Sequence, residues 1–331
     1  MAKVKIRGLD CSAPADKMIR VVLRAQVRAM CRYRDAALNW KDPEGVHDMR
    51  VLSRRLRSAI NDFRRYFRKG SLPRPKLRAI AAKLGDVRDE DVALMALKEL
   101  ATQTKGKAEV IQLIAAQRKE RRKKARVELK QALTEAAVAE FQKDFLARLE
   151  TIVIAVPSAS RSPQPATESL SFRALGVQVI RQRLKDFNTA GSCLYVPYEV
   201  KDHHELRILA KRLRYSVELF SVCWGKEFAA CAKEVAQLQT SLGELHDCDV
   251  WIAELGTWLK RLARKATLEP HEVKMRAGAT WLLKHLAADR MRHYRDALAR
   301  WEQWQADGFI EQLGRLLDVD APTSKSEISR R

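Results

Sequence analysis

Apolar residues recur every three or four positions along most of the chain, which is the spacing of an amphipathic α-helix. No segment alternates apolar and polar residues, so no strand is predicted. In the first half, the pattern predicts helices near residues 15–40, 44–68, 73–85, 88–104 and 107–150. In the second half, it predicts helices near residues 171–187, 200–223, 226–243, 247–266 and 269–316. We therefore expect an all-α protein with two antiparallel helical bundles of the four-helix type.

Two sequence motifs each occur twice, once in each half of the chain. The first reads HDMRVLSRRLR at residues 47–57 and HELRILAKRLR at residues 204–214, an offset of 157 residues. The second reads LGDVRDEDV at residues 84–92 and LGELHDCDV at residues 242–250, an offset of 158 residues. A single inserted residue over that interval indicates two copies of one structural unit. The two bundles are therefore expected to be related by an internal pseudo-twofold axis.

The repeat sets the predicted domain organisation, which is a single domain at residues 15–317. Its first helical-bundle repeat covers residues 15–155 and its second covers residues 171–317. The stretch between them, residues 156–170, is rich in proline and serine, which predicts an exposed linker. The two polar ends, 1–14 and 318–331, are expected to be flexible tails.

The first motif separates a cationic helix face from an apolar one, because successive residues are rotated by about 100°. The cationic face holds His47, Arg50, Arg54 and Arg57 in the first copy and His204, Arg207, Lys211 and Arg214 in the second. The apolar face can pack into its own bundle and leave the cationic face free. Arginine suits phosphate because its planar fork donates two parallel hydrogen bonds and keeps its charge. A merely solvated face would need only charge, so the repeated spacing favours an anion-binding site.

The two histidines on these faces are expected to respond to a ligand. Neighbouring arginines should lower the pKa of His47 and of His204, and a bound phosphate should raise both again. The hypothesis is that both side chains gain a proton when an anion binds.

Composition adds a strong charge and few other constraints. The 331 residues contain 63 Lys and Arg against 41 Asp and Glu, a formal net charge of +22, which attracts polyanions. The six cysteines form no CxxC pair, so no zinc site is predicted. No apolar segment follows the charged N-terminus, and the longest apolar run, residues 152–156, is too short to span a bilayer. We therefore expect a cytoplasmic protein with no membrane partner.

Further basic residues at helical spacing are secondary candidates for the same ligand. Within each helix they recur four residues apart, and some members of the first half have counterparts in the second. An ordinary solvated surface is the alternative for each of them. They are Arg20, Arg24, Arg28, Arg118, Arg122, Arg126, Arg181, Lys185 and Arg290.

The second motif is interpreted first as a helix boundary. Gly85 and Gly243 would end one helix in a C-cap. The acids that follow, Asp89 and Asp91 in the first copy, would then cap the next helix and favour its dipole, as Asp247 and Asp249 would in the second. Two alternatives stay open: the acids could orient neighbouring arginines, or bind a divalent cation that bridges to phosphate.

Taken together, His-x-x-Arg-x-x-x-(Arg/Lys)-Arg-Leu-Arg and Leu-Gly-x-x-(Arg/His)-Asp-x-Asp-Val, each present twice, resemble the CHAD family, the conserved histidine α-helical domain. The similarity spans about residues 15–317, and the family's histidines match His47 and His204. It implies a basic central cavity between two bundles, binding of inorganic polyphosphate and association with polyphosphate granules. The Glu-x-Glu-x-Lys signature of a CYTH domain, which many relatives carry, is absent, so a stand-alone domain is expected.

The resemblance also implies which residues bind. The matching positions are Arg50, Arg54, Arg55, Arg57, Arg207, Lys211, Arg212 and Arg214. The two copies differ, because Lys211 stands where the first copy has Arg54, and His246 where it has Arg88. The sequence therefore predicts non-enzymatic binding of polyphosphate in an Arg/Lys/His-lined groove, with no cofactor and no metal.

The sequence favours two other functions less. A basic helical protein can bind nucleic acid, but none of the seven tryptophans lies on the predicted cationic faces, where bases would stack. Nucleic acid is therefore expected to bind only non-specifically. A metal-dependent phosphohydrolase is less favoured, because Asp48 lies about 100° around the helix from His47 and no Walker loop or HExxH motif is present.

Overall fold

The computed structural model describes residues 4, 6–68, 70–104, 108–154 and 170–318. Almost the whole of the predicted linker at residues 156–170 lies outside this part of the chain. The same holds for residues 1–3 and 5 of the predicted N-terminal tail and for residues 319–331 of the C-terminal one.

Eleven α-helices and no β-strand occur in the described part of the chain, which confirms the all-α prediction. In the first half they are α1 (Ala15–Arg32), α2 (Arg34–Leu38), α3 (Glu44–Asp62), α4 (Arg74–Gln103), α5 (Ala108–Ala132) and α6 (Glu135–Thr151). In the second half they are α7 (Phe172–Gly191), α8 (Val200–Phe220), α9 (Lys226–Leu262), α10 (Pro270–Asp307) and α11 (Phe309–Leu316). None of these described helices combines the length and apolar character that a membrane span requires.

The predicted helix ends at Gly85 and Gly243 are wrong. The helix α4 continues through Gly85, and α9 continues through Gly243. Neither glycine adopts the positive φ of a C-cap. A glycine inside a helix costs only about 1 kcal/mol relative to alanine, which the packing of a long helix can override.

Other predicted helices are shorter than expected, and local chemistry explains two of the breaks. The predicted helix at 107–150 is interrupted before α6, where the Thr134 hydroxyl accepts a hydrogen bond from the Ala137 amide at 3.3 Å and caps the new helix. The predicted helix at 269–316 ends at Gly308, whose φ of +62° is left-handed. Glycine adopts this conformation without the strain that a Cβ would add.

The chain folds into two compact units. One consists of Met1–Leu170 and Thr257–Leu282, and the other of Ser171–Gly256 and Leu283–Arg331. The helices α9 and α10 each contribute residues to both units. The pseudo-twofold relation and the basic central cavity stay predictions.

In the first unit, α3 packs against α1, α2 and α4. Its apolar face is buried as predicted, with Met49, Leu52 and Leu56 almost inaccessible to solvent. Gly45 sets the start of α3 against α2, because a Cβ at this position would lie 1.9 Å from the Ala36 carbonyl oxygen. This close approach fixes the first turn of the helix, directly before its histidine.

In the second unit, α8 packs against α7. Its apolar residues Leu206, Leu213 and Val217 are fully buried, which again agrees with the predicted face. His203 is also buried, and its Nε2 lies 3.2 Å from the Cys193 carbonyl oxygen. It therefore belongs to the core, whereas the neighbouring motif residue His204 is only half-buried.

Candidate functional site

In the first unit, the guanidinium of Arg50 lies across Gly85 of α4. A Cβ built at Gly85 would sit 3.9 Å from both Nε and Nη2 of that arginine. Arg50 Nη2 also donates to Asp89 Oδ1 at 2.8 Å, one turn further along α4. The second motif therefore supplies both a surface and an acceptor for an arginine of the first motif, which holds its fork in place.

Beyond Arg50, an arginine cluster forms where α3 ends and α4 begins. Among described residues no carboxylate forms an ion pair with any member. Desolvation lowers the pKa of Arg57, and the like charges of Arg78, Arg54 and Arg74 lower it further. The members of this arginine cluster are Arg54, Arg57, Arg64, Arg74 and Arg78.

Two members of the arginine cluster, Arg74 and Arg78, were not among the sequence-predicted candidates. They lie on α4, outside both repeated motifs. Their spacing of four residues was the only available signal, because it places them on one face of a helix. Desolvation, followed by the charges of Arg78 and Arg64, lowers the pKa of Arg74. An arriving anion would relieve this repulsion.

His47 is half-buried at the start of the same cationic face. Desolvation is the largest cause of its lowered pKa, and the charge of Arg88 is the second. Arg88 itself lies 3.9 Å from the Glu44 carboxylate, which acts in the opposite direction on His47. The expected lowering of the His47 pKa is therefore present, although burial contributes more than the neighbouring charge.

The second unit reproduces the packing of a motif arginine over the motif glycine. A Cβ at Gly243 would lie 3.8 Å from Nε of Arg207, so this arginine lies against α9 as Arg50 lies against α4. Both copies therefore place an arginine over the motif glycine, inside a continuous helix and at a distance that would also accommodate a Cβ.

A histidine pair distinguishes the second unit from the first. The Nδ1 atoms of His204 and His246 lie 3.1 Å apart, so one ring must donate and the other accept. Desolvation and the charge of Arg207 lower the pKa of both, and that of His246 falls to about 4. Lys211 adds to the effect on both rings. At neutral pH the pair is therefore uncharged and surrounded by cations.

The last arginine of the motif occupies different environments in the two copies. Arg57 belongs to the arginine cluster, whereas Arg214 is buried and donates to Glu218 Oε1 at 2.9 Å and to Gln239 Oε1 at 2.8 Å. The sequence grouped Arg214 with the exposed cationic face, but its hydrogen bonds are made inside the second unit. Its geometry favours a structural role over ligand binding.

The other motif cations lie at intermediate depth. Arg55, Lys211 and Arg212 are all half-buried. Arg212 lies 3.9 Å from the carboxylate of Glu205, which is seven residues earlier on α8. Arg55 and Lys211 take part in further interactions within the protein.

The motif acids do not cap helices, which corrects the first interpretation. Asp91 lies 3.3 Å from Arg122 and 3.6 Å from Arg126, and Asp249 lies 2.5 Å from Arg290. Together with the Arg50–Asp89 pair, these contacts confirm the alternative in which the acids orient neighbouring arginines. All the acids, including Asp247, lie inside α4 or α9 because those helices continue through the motif.

Most of the secondary candidates are engaged within their own unit. Arg20 donates to carbonyl oxygens at the end of α6, including that of Ile152 at 2.6 Å, and Arg24 pairs with Glu150 at 2.5 Å. Arg118 lies 3.1 Å from Glu90. The remaining members are the Asp91-bound Arg122 and Arg126, the Asp249-bound Arg290, Arg181 paired with Asp318, and the exposed Arg28 and Lys185.

Comparisons with known proteins agree with this fold. The structure of the CHAD domain from the plant Ricinus communis superposes with a TM-score of 0.63 at 21% identity, covering 97% of this chain and 98% of that chain. PptA from Streptomyces chartreusis gives a TM-score of 0.62 at 18% identity, covering 88% of this chain and 100% of that one. No curated protein matches the sequence. The family model of the CHAD domain matches residues 21–256, and this chain therefore belongs to the CHAD domain family.

Proposed function

We propose that the protein binds inorganic polyphosphate through the cationic faces of α3 and α8, and that it does so without catalysing a reaction. The observation that carries this proposal is the arginine cluster, in which no described carboxylate pairs with the guanidinium groups. Membership of the CHAD domain family supports the choice of ligand. Nothing in such a cluster requires a base or a sugar, so a chain of phosphates suffices.

The electrostatics explain why a flexible polyanion suits these faces. Each guanidinium can donate two parallel hydrogen bonds to phosphate oxygens, and such charge-assisted bonds are about twice as strong as neutral ones. A bound phosphate also relieves the repulsion that lowers the pKa of Arg57 and of Arg74. The protein therefore stores unfavourable charge that only an anion compensates.

The histidines add a dependence on pH to this proposal. His47, His204 and His246 all have a lowered pKa. A neighbouring phosphate favours their protonated forms and raises each pKa towards its ordinary value. Binding of polyphosphate should therefore be coupled to proton uptake, and tighter at acidic pH than at neutral pH.

The test is competition binding at about 0.15 M salt, where long-range attraction between exposed charges is screened. Labelled polyphosphate of fixed length is challenged with single- and double-stranded nucleic acid of equal total charge. We expect polyphosphate to bind tighter by orders of magnitude. Equal competition per charge would instead make the protein a general polyanion binder, with nucleic acid as the leading ligand.

A binding-face variant tests where the polyphosphate binds. It carries Arg54→Gln, Arg57→Gln, Arg207→Gln and Lys211→Gln. A matched control removes the same four charges from exposed positions outside both motifs, with Lys260→Gln, Arg261→Gln, Arg264→Gln and Arg276→Gln. We expect the binding-face variant to lose tight binding with its helical circular dichroism intact, and the control to keep its affinity. Equal losses in the two variants would show that only net charge matters.

Catalysis and location require separate experiments. Incubation of the protein with polyphosphate and Mg²⁺ or Mn²⁺ should release no orthophosphate beyond that of a chelator-treated sample. In cells, binding should bring the protein to cytoplasmic polyphosphate granules, and the binding-face variant should be dispersed. Metal-dependent phosphate release would support the phosphohydrolase alternative.

A further inference from the structure

The first unit contains a second cationic site, which the polyphosphate proposal does not explain. A pocket of about 320 Å³ lies between Trp40, which follows α2, and one face of α5. Residues of α5 at intervals of three and four line it, as expected for a single helix face. We call this the Trp40 pocket, and its lining residues are Trp40, Lys119, Arg122, Lys123, Arg126, Val127 and Lys130.

The charge of the Trp40 pocket is almost uncompensated. Five of its seven lining residues are cationic, and none is acidic. Asp91 lies beneath the pocket with a side chain only 7% exposed, and it pairs with Arg122 and Arg126. Among described residues, no carboxylate pairs with Lys119, Lys123 or Lys130. The pocket is therefore suited to an anion with several charges.

The two arginines of the pocket make defined contacts with Asp91 and Trp40. Asp91 anchors both arginines from below, and the guanidinium of Arg126 lies over the Trp40 ring, 5.0 Å from its centroid. Desolvation and the charge of Arg122 lower the pKa of Arg126, so the positive charge of Arg126 is unfavourable without a ligand. The buried Nε of Arg126 and Oδ2 of Asp91 have no hydrogen-bond partner. This arrangement resembles a prepared binding surface more than a solvated helix face.

The apolar part of the lining distinguishes this pocket from the arginine cluster. Trp40 presents an indole ring, Val127 is 55% exposed, and the lysine side chains contribute aliphatic stems. A phosphate chain gains nothing from such a wall, whereas a heteroaromatic base stacks on an aromatic ring or an arginine plane. The volume lies at the lower end of the range for small-molecule sites, so it suits one nucleotide rather than a strand.

We propose that the Trp40 pocket binds a nucleoside di- or triphosphate, with its base against Trp40 and Val127 and its phosphates on the lysines of α5. This site is separate from the cationic faces of α3 and α8, and its ligand is of a different chemical class from polyphosphate. A protein with both sites could bind a nucleotide and a phosphate polymer at the same time.

The test measures ATP, tripolyphosphate and adenosine by isothermal titration calorimetry at about 0.15 M salt. The full-length binding-face variant is used, so that tripolyphosphate cannot occupy the cationic faces of α3 and α8. ATP should bind, whereas tripolyphosphate and adenosine should each bind at least tenfold more weakly, because each lacks half of the recognised chemistry. Equal affinity for ATP and tripolyphosphate would overturn the proposal and leave a general anion site.

Substitutions in the pocket then locate the ATP. Trp40→Ala should weaken ATP binding about ten- to a hundredfold, the usual contribution of one base stacked on an aromatic ring, and leave tripolyphosphate binding unchanged. Trp40→Phe keeps an aromatic face and should retain most of the affinity. Lys123→Gln and Lys130→Gln change exposed side chains, so they test the phosphate contacts even if Trp40→Ala unfolds. Unchanged ATP affinity in folded Trp40→Ala protein, or in both lysine variants, would refute the assignment.

The two proposals fail independently. If wild-type protein does not bind polyphosphate but ATP binding responds to Trp40 and the lysines, only the polyphosphate proposal is wrong. If polyphosphate binds and ATP does not, only the nucleotide proposal is wrong.

Discussion

The two arginines that end the first motif should respond in opposite ways to the same substitution. Arg57 has three like-charged neighbours and no described acidic partner, whereas its counterpart Arg214 is buried against Glu218 and Gln239. Replacing either with glutamine removes one positive charge and keeps a polar, although shorter, side chain. The structure therefore predicts gained stability in one variant and lost stability in the other.

The magnitudes follow from the neighbours. Like-charged pairs on helix surfaces cost about 0.2–0.5 kcal/mol each, so removing three of them with Arg57→Gln should raise the free energy of unfolding by about 1 kcal/mol at low salt. Arg214→Gln removes the arginine donor from the half-buried Glu218 carboxylate and Gln239 amide, and should lower the free energy of unfolding by about 1–3 kcal/mol. The gain from Arg57→Gln should disappear near 1 M salt, where screening acts over about 3 Å.

Urea denaturation followed by far-UV circular dichroism measures both effects. The same proteins are then titrated with polyphosphate, and Arg57→Gln should bind about tenfold more weakly, since charged hydrogen bonds are lost. Higher stability together with weaker binding is the result expected when a residue that serves binding at a cost in stability is replaced. If Arg57→Gln destabilised the protein as much as Arg214→Gln does, the arginine cluster would be a structural feature and the argument would be refuted.

Three further predictions concern the histidine pair, the motif glycine and the motif acid. The pKa of His246 lies at about 4 in the folded protein, against an ordinary value of 6.5. The stability that the neutral ring contributes is therefore present above pH 6.5 and lost as the pH falls towards 4. Urea unfolding at several pH values should show this loss, and His246→Gln should reduce it. Gly85→Ala should raise the free energy of unfolding, measured in urea, by about 0.5–1 kcal/mol, because alanine favours a helix more than glycine does. The polyphosphate affinity should not change, since the added Cβ would make only ordinary contact with Arg50. A drop in stability would show that the helix needs glycine there. Asp249→Asn should destabilise the protein by about 3–5 kcal/mol in thermal or urea unfolding, because it leaves Arg290 buried without a counter-ion, and a change below 1 kcal/mol would contradict that role.

The sequence predicted the helices of the first motif well, for a physical reason. An apolar stripe that must be buried determines which face of α3 and of α8 points inward, and the structure buries Met49 and Leu206 as expected. The pattern depends only on helix periodicity, so a single sequence suffices. The all-α class follows from the same reasoning.

The sequence could not predict the structural role of the second motif, because glycine has two opposite uses in helices. It can end a helix with a positive φ, or it can lie inside a long helix whose packing overrides its low helix propensity. Arg50 lies against Gly85 from a different helix, and such a contact is invisible without the tertiary structure. The prediction that the acids cap helices is wrong for the same reason, since Asp91 contacts arginines more than 30 residues later in the chain.

The difference between Arg57 and Arg214 was also beyond the sequence. Both occupy the same place in the motif and on the helical wheel. Their environments depend on what the neighbouring helix presents, which is Arg78 in one unit and Gln239 in the other. Equivalent positions in a duplicated protein can therefore diverge into an exposed member of a cationic cluster and a core contact without any change in the residue itself.

The unbroken course of α4 limits where this protein can change its length. Asp89 and Asp91 are two residues apart, about 200° around the helix, and they serve arginines of α3 and α5. An insertion inside the motif would rotate one acid away from its arginine, so both contacts could not be kept. The one extra residue of the second copy lies upstream, between the two motifs. Insertions should therefore be tolerated in the connection before α4 and rejected between Gly85 and Asp91, which makes that connection the natural place for a reporter peptide.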